Sequence, residues 1–409
     1  MVKQASVLSQ MESLVGREGV LGDPSAFAVD GLTPQAAVAP ASYEQVAEVM
    51  RYAHAEGLAV IPWGGGTHIH IGNIPSRYDI ALSLSRLNAV VEHEPADMTV
   101  TCQAGTTVGD LQRHLATAGQ LLPLDPPGGD RATVGGILAA NAWGPWRHAH
   151  GSARDMTIGL RVVTAEGKLT RAGGRVVKNV AGYDLCKLYV GSLGTLGVIV
   201  EATFKLAPLP RATAAISAAF DSAAAACELS AALQRRGLAV RGVTLVRDGG
   251  AWALALELAG TPAAVERSRR EIAAVAQIAD ATGTPLEAPG GESDSLLCKA
   301  SVLPTRLPAL IDGLEALPGP PRLLAFPTVG VCYAAWPSPP DPEGIAGAVR
   351  ALTSSAGGTL VLERCPLELK RRVDVFGDAP GPSFELMRRV KEQFDPKGVL
   401  SPGRFAGRL

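Results

Sequence analysis

The sequence has little charge and no long apolar stretch, and both shortages exclude classes of protein. Charged residues make up 19% of the 409 residues, and 38 basic against 39 acidic side chains leave a net charge of −1. Such a balance gives no field to attract nucleic acid or an acidic membrane. Nowhere do about 18 apolar residues run together, as a membrane span requires. Hydrophobic residues at 47% instead predict a soluble globular protein.

Metal-binding residues are too scattered to predict a metal site. The six cysteines lie at positions 102, 186, 227, 298, 332 and 365, so the CxxC spacing of zinc and iron–sulfur sites is missing. His68 and His70, like His148 and His150, could place two imidazoles on one side of an extended segment, but no third ligand is near in sequence. We expect no metal. The start of the chain lacks a signal-peptide core, and the cytoplasm, where thiols stay reduced, is the expected compartment.

Several familiar catalytic motifs are also missing. The glycine loops lack the GxGxxG spacing of a Rossmann nicotinamide site, and Gly167–Lys168 is followed by Leu169, which excludes a Walker A loop. Neither GxSxG nor HExxH occurs, so no sequence motif indicates a hydrolase. Tyr183, Asp184 and Lys187 could be polar catalytic residues, but their helical spacing is equally typical of a structural ion pair.

Hydrophobic periodicity and turn residues predict two mixed regions on either side of Pro208–Leu209–Pro210. The first region is predicted to contain a helix from Ser42 to Gly57, strands 58–61, 98–102 and 198–206, a helix at 108–118 and a hairpin of 158–164 with 168–171. The second is predicted to contain helices 222–236, 262–280, 305–316 and 342–355 and strands 243–247, 251–258, 322–326, 329–335 and 359–363. This pattern predicts an α+β protein whose second region is an antiparallel sheet covered by helices.

Three glycine-rich loops form the candidate ligand site. Gly64–Thr67 follows a strand, where a backbone without Cβ atoms can approach a ligand and aim N–H groups at a pyrophosphate; a flexible connector is the alternative. Residues 126–130 lead to Thr133–Gly136, where a helix start is expected to offer its dipole and free N–H groups to an anion. The third loop, 191–197, spaces its glycines three apart, which allows a flat ligand edge to pass closely.

These loops, together with Lys178 to Leu185 and 394–403, resemble the vanillyl-alcohol-oxidase (PCMH-type) family of FAD-linked oxidases. The resemblance is dense from about 33 to 208, returns at 390–405 and is weak between. It implies a two-part PCMH-type FAD-binding domain at 1–210 and a cap domain at 211–380. A C-terminal segment at 381–409 would pack back on the FAD domain. FAD would then supply the electron chemistry.

The resemblance also implies which residues hold FAD, with diphosphate at 64–68 and 133–136 and adenosine edges at 197–199. The expected cofactor-binding residues are Pro62, Trp63, Gly64, Gly65, Gly66, Thr67, His68, Pro126, Pro127, Thr133, Gly135, Gly136, Ala140, Asn141, Gly144, Gly151, Gly197, Val198 and Ile199. Family members with covalent flavin commonly have a histidine at the end of the first loop. Thr67 occupies that position here and His68 follows it, so noncovalent FAD is expected.

Departures from the family's pattern narrow the expected function. Relatives that oxidise D-2-hydroxy acids carry a His-rich segment in the cap, whereas no histidine follows residue 150 here. Leu193 also stands where the catalytic relatives usually have Glu, so no catalytic residue is assigned.

The pattern is most similar to the accessory flavin subunit of bacterial glycolate oxidases. It implies an FAD-binding subunit of a complex that oxidises 2-hydroxy acids, with a larger homologous FAD subunit and an iron–sulfur subunit as partners. Any membrane association would come through those partners. The alternatives are a free-standing FAD-dependent dehydrogenase of a small alcohol or hydroxy acid, and a structural subunit with vestigial FAD.

Overall fold

A computed structural model of the chain describes residues 2–174, 183–248, 250–285, 295–377 and 381–409. The chain divides into two compact units. Unit 1 consists of Met1–Ala142, Ser152–Pro208 and Phe376–Leu409, and unit 2 consists of Trp143–Gly151 and Leu209–Val375. The last part of the chain therefore belongs with the first.

Unit 1 is built on two main sheets. A mixed four-stranded sheet has the order Val20–Leu21, Ala36–Val38, Ile80–Ser83 and Val60–Trp63. An antiparallel five-stranded sheet has the order Val90–Glu94, Thr99–Gln103, Val198–Lys205, Thr157–Val163 and Leu169–Gly173, and Gln120–Leu121 pairs separately with Ala207–Pro208. The helices are Val2–Val15, Tyr43–Glu56, Val108–Ala116, Val134–Ala140, Ala153–Met156, Cys186–Tyr189 and Pro382–Phe394.

The second helix of unit 1 shows how local sequence sets an element's bounds. Tyr43–Glu56 begins after Ser42, whose hydroxyl accepts a hydrogen bond from the N–H of Gln45 at 3.2 Å. It ends at Gly57, which adopts a left-handed φ of 67° that favours glycine. The predicted start and end of this helix are confirmed.

Unit 2 is built on one eight-stranded antiparallel sheet in the described ranges. Its strand order is Ile278–Asp280, Ala212–Phe220, Ala251–Gly260, Val240–Asp248, Arg322–Phe326, Val331–Trp336, Leu296–Ser301 and Thr359–Arg364. Its helices are Arg147–His150, Ala223–Gln234, Pro262–Ala273, Leu307–Glu315, Pro342–Ser355 and Leu367–Arg372. The longer helices pack on the sheet. The α+β prediction, with helices covering an antiparallel sheet, is confirmed.

Two predicted features differ from the structure. The helix predicted at 262–280 ends at Ala273, and Ile278–Asp280 is an edge strand paired with Ala212–Phe220. Residues 143–151, predicted to be part of the FAD domain, lie in unit 2. None of the described helices combines the length and apolarity needed to cross a membrane.

Aromatic and polar contacts hold the segment 143–151 in unit 2. Trp143 packs edge-on against Phe326, with ring centroids 4.9 Å apart. The indole N–H of Trp146 donates to Oε2 of Glu257 at 2.6 Å, and Arg241 lies 4.0 Å above the same indole ring. Arg241 also forms an ion pair with Glu257 at 2.5 Å. These long-range contacts explain why local sequence patterns did not predict where the segment lies.

Candidate functional site

The first glycine loop borders a pocket in unit 1. The strand Val60–Trp63 pairs in parallel with Ile80–Ser83 and runs directly into this loop. We call this the first pocket, and its lining residues are Ile61, Pro62, Gly64, Gly65, Gly66, Thr67, His68, Ile69, Gly136, Ala139, Ala140, Leu193 and Arg404. All three predicted glycine regions or their neighbours therefore meet within unit 1.

A second pocket adjoins the first and extends toward the third loop. The second pocket is lined by Pro62, Trp63, Gly64, Leu84, Thr133, Gly135, Gly136, Ala139, Leu193, Gly194, Gly197 and Ile199. The two pockets share Pro62, Gly64, Gly136, Ala139 and Leu193. Together they form an extended site with walls of small and apolar residues, which suits an elongated ligand better than a compact one.

The absence of side chains at Gly64 and Gly65 allows two loops to touch. A Cβ atom at Gly64 would overlap Oγ1 of Thr133, and one at Gly65 would overlap the carbonyl oxygen of Arg131. Gly136 differs, because a Cβ there would meet only Oγ1 of Thr133, at 3.2 Å, and the residue lines both pockets. A large side chain at Gly136 would therefore project toward the pockets.

The first loop presents unpaired hydrogen-bond donors. Among the residues that the structure describes, no protein acceptor pairs with the N–H groups of Gly64, Gly65, Gly66 or Thr67. Successive N–H groups of this kind form an anion-binding cradle. The hydroxyl of Thr67 lies 2.9 Å from Nδ1 of His68.

The start of helix Val134–Ala140 corrects one expectation. Its first N–H groups are not free: Val134 donates to the carbonyl of Thr106 at 2.9 Å and Gly135 to that of Ala104 at 2.7 Å. The N–H of Gly136 donates to the capping hydroxyl of Thr133 at 3.3 Å. Since these donors are already paired, the first loop, rather than this helix, supplies the open donors.

The third loop docks on the other end of the same helix. The N–H groups of Gly191 and Leu193 donate to the carbonyls of Leu138 and Ala139, both at 2.9 Å. Leu193 has a φ of 53°, uncommon for a branched side chain, and lines both pockets. This docking places the third loop against the first two.

Arg404 is a pocket residue that sequence reasoning missed. It lines the first pocket but is only 2% exposed, and its Nη2 donates to the carbonyls of Ile69 and Ile71. Burial lowers the pKa of Arg404, and the charge of Asp30 offsets part of that effect. The only sequence signal was its position directly after Pro402–Gly403 in the C-terminal motif.

Most of the predicted cofactor residues line the two pockets. These are Pro62, Trp63, Gly64, Gly65, Gly66, Thr67, His68, Thr133, Gly135, Gly136, Ala140, Gly197 and Ile199. The predicted residues that do not line them are Pro126, Pro127, Asn141, Gly144, Gly151 and Val198. Gly144 and Gly151 lie in unit 2, and Asn141 ends helix Val134–Ala140 in a left-handed conformation.

The motif at Lys178 to Leu185 is only partly described, because 178–182 lie outside the described residues. Lys187 Nζ and Asp184 Oδ2 form an ion pair at 3.2 Å, with both side chains about half exposed, and Tyr183 is 95% exposed. Of the two interpretations of these residues, the structural ion pair matches the observed contact.

Unit 2 contains two histidines, although no histidine follows residue 150. The segment 143–151 brings His148 and His150 into this unit, where Nδ1 of His148 lies 2.9 Å from the hydroxyl of Thr328. Burial lowers the pKa of both imidazoles, and the charge of Arg241 further lowers that of His150. Within the described ranges, no three His, Cys, Asp or Glu side chains are grouped to hold a metal.

A buried polar cluster lies on three neighbouring strands of unit 2. Lys299 Nζ pairs with Oε1 of Glu363 at 3.1 Å and lies 5.5 Å from the ring centroid of Tyr333. Burial, the largest single effect, would lower the pKa of Lys299, but the charges of Glu363 and Tyr333 and their hydrogen bonds together outweigh it and raise that pKa. Burial, with the charge of Glu363, raises the pKa of Tyr333 to about 12. Lys299 is therefore charged and Tyr333 neutral at pH 7, so neither is poised as a base.

Comparison with known proteins matches two parts of the chain to family models. A model described as an FAD binding domain matches residues 34–173, and one described as the C-terminal domain of FAD linked oxidases matches residues 377–405. The chain is 31% identical over 330 residues to glycolate oxidase subunit GlcE of Escherichia coli, spanning 78% of this chain and 85% of that protein.

Two further similarities cover the chain to different extents. The chain is 33% identical over 195 residues to glycolate oxidase subunit GlcD of Bacillus subtilis, a match of 48% of this chain and 42% of that protein. The structure is similar to p-cresol methylhydroxylase with substrate bound, with a TM-score of 0.74 over 98% of this chain and 96% of that one. At 17% sequence identity, the latter similarity shows a common fold.

Proposed function

Since the chain belongs to the family of FAD-linked oxidases, we propose that it is an FAD-binding subunit of a glycolate oxidase-type complex that oxidises small 2-hydroxy acids. The extended similarity to GlcE supports a subunit role, because it spans 85% of that protein. The match to GlcD spans less than half of that relative, so a complete catalytic activity is not carried over from it.

The observation that carries the proposal is the fit of the two pockets to a dinucleotide. The unpaired N–H groups of Gly64–Thr67 would hold the diphosphate, and the open backbone at Gly136 would let the cofactor pass between the loops. Gly197 and Ile199 would border the adenosine end. FAD, when bound, supplies the electron-transfer chemistry, while the chain's own residues bind it, orient it and exclude water from it.

The attachment of the cofactor is proposed to be noncovalent. The side chain at the end of the first loop is the hydroxyl of Thr67, which lies 2.9 Å from Nδ1 of His68. Thr67 itself offers no imidazole to a flavin, and its hydroxyl engages one of the two ring nitrogens of His68. We therefore expect acid to release intact FAD from the protein.

Electrons are proposed to leave this chain by transfer to partner subunits. The six cysteines, all within the described residues, form no disulfide and are far apart in sequence, so the proposal assigns the iron–sulfur carrier to a separate subunit and substrate oxidation to a larger homologous FAD subunit. The complex would act in the cytoplasm, and its partners would provide any attachment to a membrane.

The proposal is tested by comparing the isolated chain with the reconstituted complex. The chain is co-expressed with the proposed partners, a homologous FAD subunit and an iron–sulfur subunit, and glycolate or D-lactate is added anaerobically. We expect the flavin of the isolated chain to keep its visible absorption and that of the complex to bleach. A chain whose flavin stays oxidised in a complex reduced at its other centres would instead be a structural subunit with vestigial FAD.

A second candidate function, a free-standing FAD-dependent dehydrogenase, is favoured by His148. A half-buried imidazole with a lowered pKa is neutral at pH 7 and can accept a proton from an alcohol or hydroxy acid. Bleaching of the isolated wild-type flavin by a hydroxy acid, abolished in His148→Gln with FAD content retained, would establish this function. Unchanged flavin absorption in the isolated wild type would exclude it for the acids tested.

A further inference from the structure

The side chain of Arg404 is a buried cation with incomplete hydrogen bonding. Nη2 donates to the backbone carbonyls of Ile69 and Ile71, whereas Nε and Nη1 have no hydrogen-bond partner among the described residues. Unpaired donors on a buried charged group cost free energy unless a ligand supplies acceptors. Arg241 and Arg364 also have an unpaired buried nitrogen, but Arg404 has two and lines the first pocket, and this combination points to a ligand position.

The position of Arg404 limits what that ligand can be. Arg404 lines the first pocket together with the glycine loop, and the carbonyls that it contacts at Ile69 and Ile71 are neutral. Its positive charge is therefore not matched by the groups to which it donates. The charge of Asp30 offsets part of the cost of burying the guanidinium, and a ligand with negative charge and several acceptor oxygens would satisfy the donors that remain.

A second, independent set of donors borders the same pocket. The N–H groups of Gly64, Gly65, Gly66 and Thr67 are unpaired among the described residues and come from a different part of the chain. Backbone donors of this kind bind phosphate oxygens, and guanidinium–phosphate contacts are among the strongest charge-assisted hydrogen bonds. Both sets of donors favour the same chemical class of ligand, a phosphate ester in which more than one oxygen can accept a hydrogen bond.

We infer that Arg404 is the cationic ligand of the cofactor's diphosphate, acting with the N–H groups of the first glycine loop. This inference rests on the proposed function and assigns a role to a residue of the C-terminal segment. It explains how a segment more than 300 positions from the loop contributes to the site. Arg404 donates hydrogen bonds to the carbonyls of Ile69 and Ile71 and so holds residues 69–71 in place. The contacts with Ile69 and Ile71 orient the guanidinium, and its unpaired nitrogens are left for the ligand.

The test measures binding to the apoprotein of wild type and of Arg404→Gln, with FAD and with ADP as probes. ADP carries the diphosphate without a flavin ring. We expect R404Q to bind both probes roughly 10- to 100-fold more weakly, because a charge-assisted hydrogen bond is lost from each. The reduction potential of any flavin that remains bound should stay at the wild-type value. Arg408→Gln, which alters an exposed arginine of the same segment, is the matched control and should bind as wild type does.

Three outcomes separate this inference from the proposed function. If wild-type apoprotein binds neither FAD nor ADP, both fail. If wild type binds FAD and folded R404Q binds FAD and ADP equally well, only the role of Arg404 fails. If R404Q binds ADP as wild type does but shifts the reduction potential, Arg404 contacts the flavin ring instead, and the diphosphate assignment is overturned.

A measurement on the wild type keeps the inference testable if R404Q does not fold. The Nε–H resonance of Arg404 is followed by NMR in protein containing isotope-labelled arginine, and it is assigned by its loss in Arg404→Lys. Addition of ADP should shift this resonance while leaving that of Arg408 in place. An Arg404 resonance that stays unchanged at saturating ADP would overturn the inference.

Discussion

The ammonium group of Lys391 lies 2.6 Å from Oδ2 of Asp395 in the interior of unit 1, and this pair joins the C-terminal segment to the third glycine loop. Nζ also donates to the carbonyls of Thr195 and Leu400, both at 2.8 Å. The carboxylate of Asp395 accepts from the N–H groups of Val399 and Leu400 at 2.9 and 2.8 Å. A fully hydrogen-bonded pair of this kind fixes one backbone arrangement, which accounts for how the C-terminal motif is held against the third glycine loop.

Replacing Lys391 by methionine should destabilise unit 1. Asp395, whose side chain is fully buried, would keep its negative charge without a cation, and breaking such a pair costs about 3–5 kcal/mol. Urea unfolding measures the change in the free energy of unfolding. Lys187→Met, which breaks an exposed ion pair with Asp184, is the control and should cost about 1 kcal/mol or less. Equal costs for the two variants would show that the buried pair has no special role.

Gly136→Trp should lose FAD while keeping the fold. The Cβ atom of the new side chain would lie 3.2 Å from Oγ1 of Thr133, and the indole would project toward the two pockets that Gly136 lines. The ratio of flavin absorption to protein absorption after purification measures occupancy, and circular dichroism checks the fold. Gly347→Trp, at an exposed helical glycine with open space around it, should retain the wild-type ratio. A folded G136W protein with full flavin content would remove Gly136 from the site.

Glu257→Gln should loosen the segment 143–151 and destabilise unit 2. Glu257 accepts from the indole of Trp146 and pairs with Arg241, whose side chain is only 10% exposed. Removing the carboxylate charge leaves the buried guanidinium uncompensated, at a cost of about 3 kcal/mol in the free energy of unfolding. Thermal and urea unfolding would measure it.

The control for that variant is Glu368→Gln, which breaks an ion pair with Arg371 on an exposed helix. It should change the unfolding free energy little, because exposed pairs contribute little. A Glu257→Gln protein as stable as this control would show that the ion pair with Arg241 does not hold the segment.

His148 should make the stability of the protein fall in mild acid. Because burial lowers its pKa in the folded state below the ordinary value of 6.5, the unfolded state binds the proton more readily. The contribution of His148 to the free energy of unfolding is therefore complete above about pH 6.5, and it is lost as the pH falls through the folded-state pKa. The free energy of unfolding, measured by urea titration at several pH values, should decrease less steeply below that pH in His148→Gln.

Thr328→Val serves as the control for the pH experiment. It removes the hydroxyl that lies 2.9 Å from Nδ1 of His148 but leaves the imidazole in place. Its stability should be lower by a nearly constant amount, with the wild-type dependence on pH. If His148→Gln also keeps the wild-type slope, titration of His148 does not contribute to acid destabilisation.

Elements with local signals were predicted from the sequence, and elements without them were not. The cap at Ser42 and the glycine at 57 marked a helix whose bounds the structure reproduces. The strands Ala36–Val38 and Ile80–Ser83 were missed, since every residue in them is buried and no polar–apolar alternation marks them. A strand that is buried on both faces can be identified only from its pairing with neighbouring strands in the folded sheet.

The candidate site shows the same division between local and distant information. The glycine loops could be predicted because their spacing lies within a few residues, and they border the two pockets. Arg404 could not, because its burial and its contacts with Ile69 and Ile71 exist only after the chain ends come together. The sequence did not predict that His148 and His150 lie in unit 2, because tertiary contacts of Trp146, rather than sequence order, place the segment 143–151.

The most direct test of the central claim, that this chain holds FAD without a covalent bond, is the visible spectrum of the chain purified alone, followed by acid precipitation. We expect a yellow protein whose colour passes entirely into the supernatant as FAD. A folded but colourless protein that also fails to take up added FAD would contradict it, and colour that remains with the precipitate would contradict the noncovalent attachment.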